Sequence, residues 1–435
     1  MINPFPTETG TDTIFALATA QGRAGVAIVR LSGPRAHEIA RTLSGGRPLP
    51  ARRTSLRTLV QDGEPIDQAV LIHFPAPGSF TGEDVVELQC HGSPAVVEAV
   101  SAALLSHGLR QAGPGEFTRR AVENGRMDLT EAEGLLDLID AQTQGQRRQA
   151  LSQMEGELRR TYEGWREGLL DALAQIEGEI DFPDEQDVPD ALSHAAYPIL
   201  EAVAADIECA LARADAGRAV RTGISVAIIG APNAGKSTLL NQLAGRDAAI
   251  TSAVPGTTRD IVEVPLVLAG LSVTLSDTAG LREASDAVEA EGVRRALARA
   301  DDAELRIGLV RDGSEVPPLQ DGDILLRNVS GVPSAPDEIN ALTGEGVDAL
   351  QDRLAAILSE RFGATESAGL TRARHADLAR RALKAARVAQ RNLAAAPELS
   401  GEDIRAAMRA LDELAGRADI EDVFDRIFSQ FCIGK

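Results

Sequence analysis

Three short stretches carry residue types that could handle a phosphate chain. The first is Gly230-x4-Gly235-Lys236-Ser237, inside "ISVAIIGAPNAGKSTLLNQLAG". Its glycines let backbone N–H groups wrap an anion, and the following helix turns its positive dipole end towards it. Lys236 would reach the β- and γ-phosphates and Ser237 would ligate Mg²⁺. Asn233, Ala234, Gly235 and Thr238 complete the expected nucleotide cradle. The second stretch is "PGTTRD" (255–260), at the distance of a first switch loop, where Thr258 is the candidate to close the Mg²⁺ shell. The third is "LSDTAGLRE" (275–283). There Asp277 would support Mg²⁺, with Thr278, Ala279 and the Gly280 amide beside the γ-phosphate. A Ras-type GTPase continues this stretch with the glutamine that orients the attacking water. This chain has Leu281. Either hydrolysis is slow, or another group does that work.

The loop expected to read a guanine base is incomplete. "ILLRNVSGV" (324–332) offers Asn328-Val329-Ser330-Gly331 where Asn-Lys-x-Asp is usual. The carboxylate that accepts from guanine N1–H and N2 is missing, and with it about 1.5–3 kcal/mol of discrimination. Ala341, in "NALTGEG" (340–346), still offers a backbone amide for guanine O6.

The elements that must position these residues follow from hydrophobic period. "GVAIVRLSG" (25–33), "AVLIHFPAP" (69–77) and "DVVELQCHG" (84–92) read as strands, and "SPAVVEAVSAALLSHG" as a helix, so residues 1–125 form an α+β unit. From 126 to 218 the pattern is helical, with apolar residues three and four apart over some 50 positions until the acidic "DFPDEQDVPD" (181–190) breaks it. Strands and helices alternate from 219 to 362, which predicts a mainly parallel sheet. Helices resume from 363 to 435. The simplest architecture inserts an α/β domain into a helical domain built from both flanks. The expected fold class is therefore multidomain α/β plus α.

Bulk composition narrows the function. With 435 residues the chain has room for about three domains. A net charge of −21 disfavours strong, non-specific attachment to nucleic acid, so any RNA must meet a local basic surface or a partner. Cys90, Cys209 and Cys432 are too far apart for a disulfide framework or a zinc cluster. No 18-residue apolar run and no basic leader appears, and a soluble, cytoplasmic protein without membrane attachment is expected. Only three of the 44 basic residues are lysines, Lys236, Lys384 and Lys435, and two of them fall in motifs. Arg380, Lys384, Arg387 and Arg391 form a stripe on one helix face, either solvated, paired with acidic neighbours, or touching RNA. Cys432, three residues before Lys435, is either a packed thiol on a frayed tail or a thiol delivered to a reaction site.

The order of "FTGEDVVELQCHG" (80–92), "AGPGEFTRRAVENGRMDL" (112–129), "GAPNAGKS", "PGTTRD", "DTAGLRE" and "FCIGK" (431–435) resembles the MnmE (TrmE) family of tRNA-modification GTPases over essentially the full length. The resemblance implies an N-terminal, folate-binding-like and dimerising domain, a split all-α domain and an inserted Ras-like P-loop G domain. It implies a homodimer joined by the flavoprotein MnmG in an α2β2 complex, with FAD and NADH on that partner. Together they would add a carboxymethylaminomethyl or aminomethyl group at C5 of the wobble uridine (U34) of certain tRNAs. GTP, Mg²⁺, K⁺ and a reduced folate (5-formyl- or 5,10-methylene-tetrahydrofolate) are the implied cofactors.

Family members lack both the Ras glutamine and an arginine finger, and use a K⁺ ion held when two G domains pair. By resemblance its ligands here are Asn233, Ser252, Val254 and Thr257, and Glu289 orients water through a bridging water. On its own, Glu289 is one acidic residue on an exposed helix. The catalytic set implied is Glu289, Lys236, Gly280 and Cys432, and the folate set is Arg30, Glu87, Arg126 and Lys435. A carboxylate suits the amidine-like pterin edge and cations suit a glutamate tail. The competing reading is a GTPase-like regulatory or ribosome-assembly switch without modification chemistry. Leu281 and the incomplete base loop favour that reading; the N-terminal motifs and the "CIGK" tail oppose it.

Overall fold

The computed structural model describes residues 12–181, 192–245, 263–277, 303–362, 369–393, 396–417 and 421–434. Two compact units emerge, Met1–Leu136 with Asp412–Lys435, and Asp137–Leu411.

The first unit is built on a six-stranded sheet of β1 (Ile14–Leu17), β2 (Ala24–Ser32), β3 (Thr54–Gln61), β4 (Glu64–Phe74), β5 (Val85–Gly92) and β6 (Arg110–Gln111). The strand order is β3-β4-β5-β2-β1-β6, antiparallel throughout except for the β1/β6 pair. Alternation sets the faces: Val86, Leu88 and Cys90 of β5 point into the core while Glu87, Gln89 and His91 point to the opposite face. The helices Ala36–Leu43 and Pro94–Ser106 cover the inner face, packing Ile39, Leu43, Val100 and Leu104 on Val29, Leu31 and Leu71. The β3–β4 hairpin turns through Asp62 and Gly63, both at positive φ (51° and 85°), the turn chemistry that matches strand twist. A smaller core joins the helix Leu129–Asp140 to the helix Glu421–Phe428 through Leu129, Leu136, Phe428 and Phe431. The chain's last described residues are docked in the same unit. Pro114 and Ile433 form a β-bridge, and Gly115 N–H donates to the Cys432 carbonyl at 3.5 Å.

The second unit combines helices with a second sheet. The helices Gln144–Met154, Glu157–Asp181, Leu192–Ala212 and Ala214–Thr222 precede the sheet, and Ala373–Asn392 follows it. The helical pattern over these positions is carried by three helices, counting Leu129–Asp140. Two local signals interrupt it: Thr143 forms a capping box with Gln146, and Gly156 takes a φ of 78° that ends the preceding turn. The acidic stretch 182–191 lies outside the described residues. Helix Leu192–Ala212 packs on both Glu157–Asp181 and Ala373–Asn392, so the two helical flanks share one core. Trp165 seals part of it, its indole N–H donating to Asp206 at 2.6 Å.

The second sheet contains β7 (Ile224–Ile229), β8 (Glu263–Leu268), β9 (Leu271–Asp277), β10 (Leu305–Val310), β11 (Ile324–Asn328) and β12 (Glu338–Ile339). Its order is β12-β11-β10-β7-β9-β8, and all neighbours are parallel except the β8/β9 hairpin. Helices Lys236–Ala244 and Val347–Phe362 pack on it through Leu239, Leu243, Leu350, Leu354 and Leu358. Buried strands flanked by helices are what the alternating pattern predicted. Among the described residues no helix is long and apolar enough to cross a membrane.

Candidate functional site

The G-x-x-x-x-G-K-S stretch sits where β7 ends and the helix Lys236–Ala244 begins. β7 is central and almost wholly buried, so the loop leaves the sheet beside β10 and β9. A Cβ on Gly230 would stand 2.2 Å from the Leu309 carbonyl oxygen of β10, which leaves glycine as the residue that fits. Asn233 and Gly235 then take left-handed φ values of 62° and 101°, curling the loop's amides inward.

Lys236 is 4% exposed, and its ammonium donates to the carbonyls of Gly230 and Ala231 at 2.8 Å each. Burial lowers its pKa, while Asp277 acts in the opposite sense. The ammonium is therefore held in the mouth of the loop by the loop's own oxygens, positioned for a phosphate to displace them. The Ser237 hydroxyl donates to Oδ2 of Asp277, at the end of β9. A hydroxyl and a carboxylate side by side are hard oxygen donors, and they fit the Mg²⁺ shell expected of them.

Asn328, in the expected base-reading loop, also braces two loops together. It is 9% exposed; its Nδ2 donates to the Ala234 carbonyl at 2.7 Å, and its Oδ1 accepts from the Ala341 N–H at 3.1 Å. It thus braces the phosphate loop against the last loop of the sheet. A Cβ at Gly235 would fall 2.3 Å from that Nδ2, so the second motif glycine makes room for the brace. This link was not anticipated from the sequence, because it joins residues 94 positions apart.

Of the other expected nucleotide residues, Ala234 is buried, Thr238 is half-buried in the helix's first turn, and Asn233 is exposed at the loop. Ser252, Val254, Thr257, Thr258, Thr278, Ala279, Gly280, Leu281 and Glu289 lie outside the described residues, as does Lys435.

A second site occupies the sheet of the other unit. A cavity of about 400 Å³ is lined by Arg30, Arg52, Phe74, Phe80, Glu87 and Leu135, among others. Arg30 and Glu87 are register partners on β2 and β5, and the guanidinium donates to Glu87 Oε1 from two nitrogens, at 3.1 and 3.0 Å. Phe80 and Phe117 flank the Arg30 guanidinium at 5.8 and 5.9 Å. Arg52 lies over Phe74 and donates to the Gly78 carbonyl. A cavity with aromatic walls and a fixed guanidinium–carboxylate pair suits a flat, polar-edged ligand with an anionic tail.

Two of the expected folate residues, Arg30 and Glu87, meet in this cavity; Arg126 is exposed and does not line it. Its stem instead lies near Gly82, where an added Cβ would come within 3.3 Å of the Arg126 Cγ. Arg52 had no motif to mark it.

The helix Glu116–Glu123 supplies Phe117 to Arg30, and the amide of its cap residue Gly115 holds the Cys432 carbonyl. The Cys432 side chain is exposed on a docked segment, so the frayed-tail reading fails for residues 431–434. Glu116 of this helix belongs to a partly buried ionic network in which Arg110 and Arg120 bridge Asp12 and Glu116, and Arg120 also reaches Glu83. Burial alone would raise the Glu116 pKa, but Arg110 and the Gly113 amide outweigh it and hold the carboxyl below its usual range.

The basic stripe is partly neutralised. Arg387 pairs with Glu201 and Glu208, and Arg380 with Asp377, which favours the paired reading for these two.

The family model described as the MnmE helical domain matches residues 129–432, and that of the GTP-binding protein TrmE N-terminus matches 13–126. The tRNA modification GTPase MnmE of Maricaulis maris is 54% identical, covering 97% of this chain and 99% of that protein. The protein of the same name from Phenylobacterium zucineum is 49% identical, over 98% and 100%. Among solved structures, the G domain of the T. maritima FeoB iron transporter aligns at 22% identity and a TM-score of 0.22, covering 31% of this chain and 98% of that one. On a family-model match over most of its length and relatives near 50% identity end to end, the chain belongs to the MnmE family.

Proposed function

We propose that this chain is a GTP hydrolase of tRNA modification whose turnover is stimulated by K⁺. With the flavoprotein MnmG it would add a carboxymethylaminomethyl or aminomethyl group at C5 of the wobble uridine. The observation that carries the nucleotide part is the cluster of Lys236, Ser237 and Asp277 at the joined ends of β7 and β9. Family membership supports the rest. Lys236 holds the β- and γ-phosphates, and Ser237 with Thr258 completes the Mg²⁺ shell. Asn233, Ser252, Val254 and Thr257 hold K⁺, and Glu289 orients water, in place of the groups missing at Leu281. A fixed monovalent cation beside the β/γ-bridge supplies the positive charge an arginine finger would. Asn233 fits that use, because its left-handed backbone leaves the side chain exposed on the phosphate loop.

Residues 1–125 form the dimerising domain that binds reduced folate with Arg30, Glu87, Arg126 and Lys435, in this reading. Segments 126–218 and 363–435 make the helical domain, and 219–362 the G domain. Cys432 is the thiol brought to the folate site by the docked tail. The measurement for hydrolysis is the turnover of GTP in KCl against NaCl, expected several-fold faster in KCl; a flat cation series would refute the K⁺ role. The measurement for function is nucleoside analysis of tRNA from a deletion strain, which should lack the 5-substituted wobble uridine. Unchanged nucleosides would favour the switch reading that Leu281 suggests.

A further inference from the structure

The rim where a purine base would rest has spent most of its discriminating groups on itself. Asn328 uses one amide hydrogen on Ala234 and its carbonyl on Ala341. A primary amide has two donor hydrogens, so one remains, and the acceptor it could meet, purine N7, is common to guanine, hypoxanthine and adenine. The amides that would recognise O6 are likewise engaged: Ala341 N–H donates to Asn328 Oδ1 at 3.1 Å and Leu342 N–H to Asn340 Oδ1 at 3.1 Å. Gly331 occupies the position of the base-reading carboxylate, and its carbonyl accepts from Asn340 Nδ2 at 3.1 Å. The side chains these two loops present to solvent include the apolar Val332, 78% exposed, and Leu342, 81% exposed, with Ser330, Thr343 and Glu345 exposed as well. Apolar contact serves either purine equally.

We infer that this site recognises nucleotides by their phosphates and is nearly indifferent to the purine, taking guanine, hypoxanthine and adenine nucleotides with affinities within about tenfold of one another. The inference rests on the reading of Gly230–Ser237 as a phosphate loop. A carboxylate on N1–H and N2 would supply about 10- to 100-fold in favour of guanine; Gly331 lacks it, and Glu345, the carboxylate of the 340–346 loop, accepts from the Thr343 hydroxyl at 3.2 Å. The fold leaves room to restore it. A Cβ built on Gly331 meets no atom within 4 Å, and Gly331 has no left-handed φ.

The test is displacement of a fluorescent mant-GDP from the full chain, with Mg²⁺, by GDP, IDP, ADP and inorganic pyrophosphate. GDP, IDP and ADP should displace it within about tenfold of one another, and pyrophosphate should compete. Gly331→Asp should then raise the preference for GDP over both IDP and ADP by at least about tenfold. A preference for GDP over ADP beyond about tenfold in the unaltered chain would overturn the inference while leaving the phosphate site standing. Absence of mant-GDP binding would overturn the phosphate-loop reading and this inference with it.

Discussion

Asn328 joins two loops of the second sheet through a single side-chain amide. Its two bonds, to Ala234 and Ala341, tie the phosphate loop to the far loop of the sheet, and Gly235 is bare to admit them. Asn328→Ala would leave a buried carbonyl and a buried N–H unpaired, at a cost of about 2–4 kcal/mol in urea unfolding. Nucleotide affinity should fall by the same factor for guanine and adenine forms, measured by competition. Unequal loss would return Asn328 to base reading. The thiols differ as sharply. Burial, helped by Asp67, pushes the Cys90 pKa up to about 12, whereas Cys209 and Cys432 are exposed. In the native protein a thiol-exchange reagent should modify Cys209 and Cys432 within minutes and spare Cys90 until denaturant is added. Early labelling of Cys90 would contradict the described core.

Among the elements, the helix Glu116–Glu123 bears the most: its first residue closes the ionic network and Phe117 flanks Arg30. The Glu116 carboxyl has a lowered pKa in the fold, so its stabilisation is complete above the ordinary value of 4.5 and is lost as pH falls through the lower folded value. Glu116→Gln should cost about 3 kcal/mol at neutral pH and flatten the acid limb of the stability curve, read by denaturation from pH 7 to pH 3. An unchanged acid limb would remove Glu116 from that role. Legibility also divides at this scale. β7, the phosphate loop and its helix could be read because period and glycine spacing are local. β5 was readable for the same reason. The β3–β4 hairpin is hard to read from sequence although Asp62-Gly63 is a two-residue turn signal, because polar residues dilute the alternation of β3. The Asn328 brace and the Arg52 wall of the cavity depend on distant strands meeting, which no local pattern encodes.

The whole molecule carries a charge of −21, and part of its basic stripe is committed to ion pairs. Arg387 is clamped between Glu201 and Glu208 across the two helical flanks, with Gln390 in the same cluster. Arg387→Ala should lower stability by up to about 1 kcal/mol, the scale of exposed pairs, more than it alters RNA affinity. Lys384→Ala should leave tRNA binding within about twofold in a gel-shift titration; a larger loss would assign the stripe to RNA. Another feature reaches further. The Pro114–Ile433 bridge, the Cys432 carbonyl on Gly115 and Phe428 and Phe431 against Leu129 mean that the first unit closes only with residues from beyond position 411. On the ribosome, the sheet made earliest must wait for some 275 intervening residues to emerge before it receives its last strands of contact. A message cut short before position 412 would leave the strands that carry Arg30 and Glu87 made, but Leu129 without Phe428 and Phe431, and the Gly115 amide without the Cys432 carbonyl.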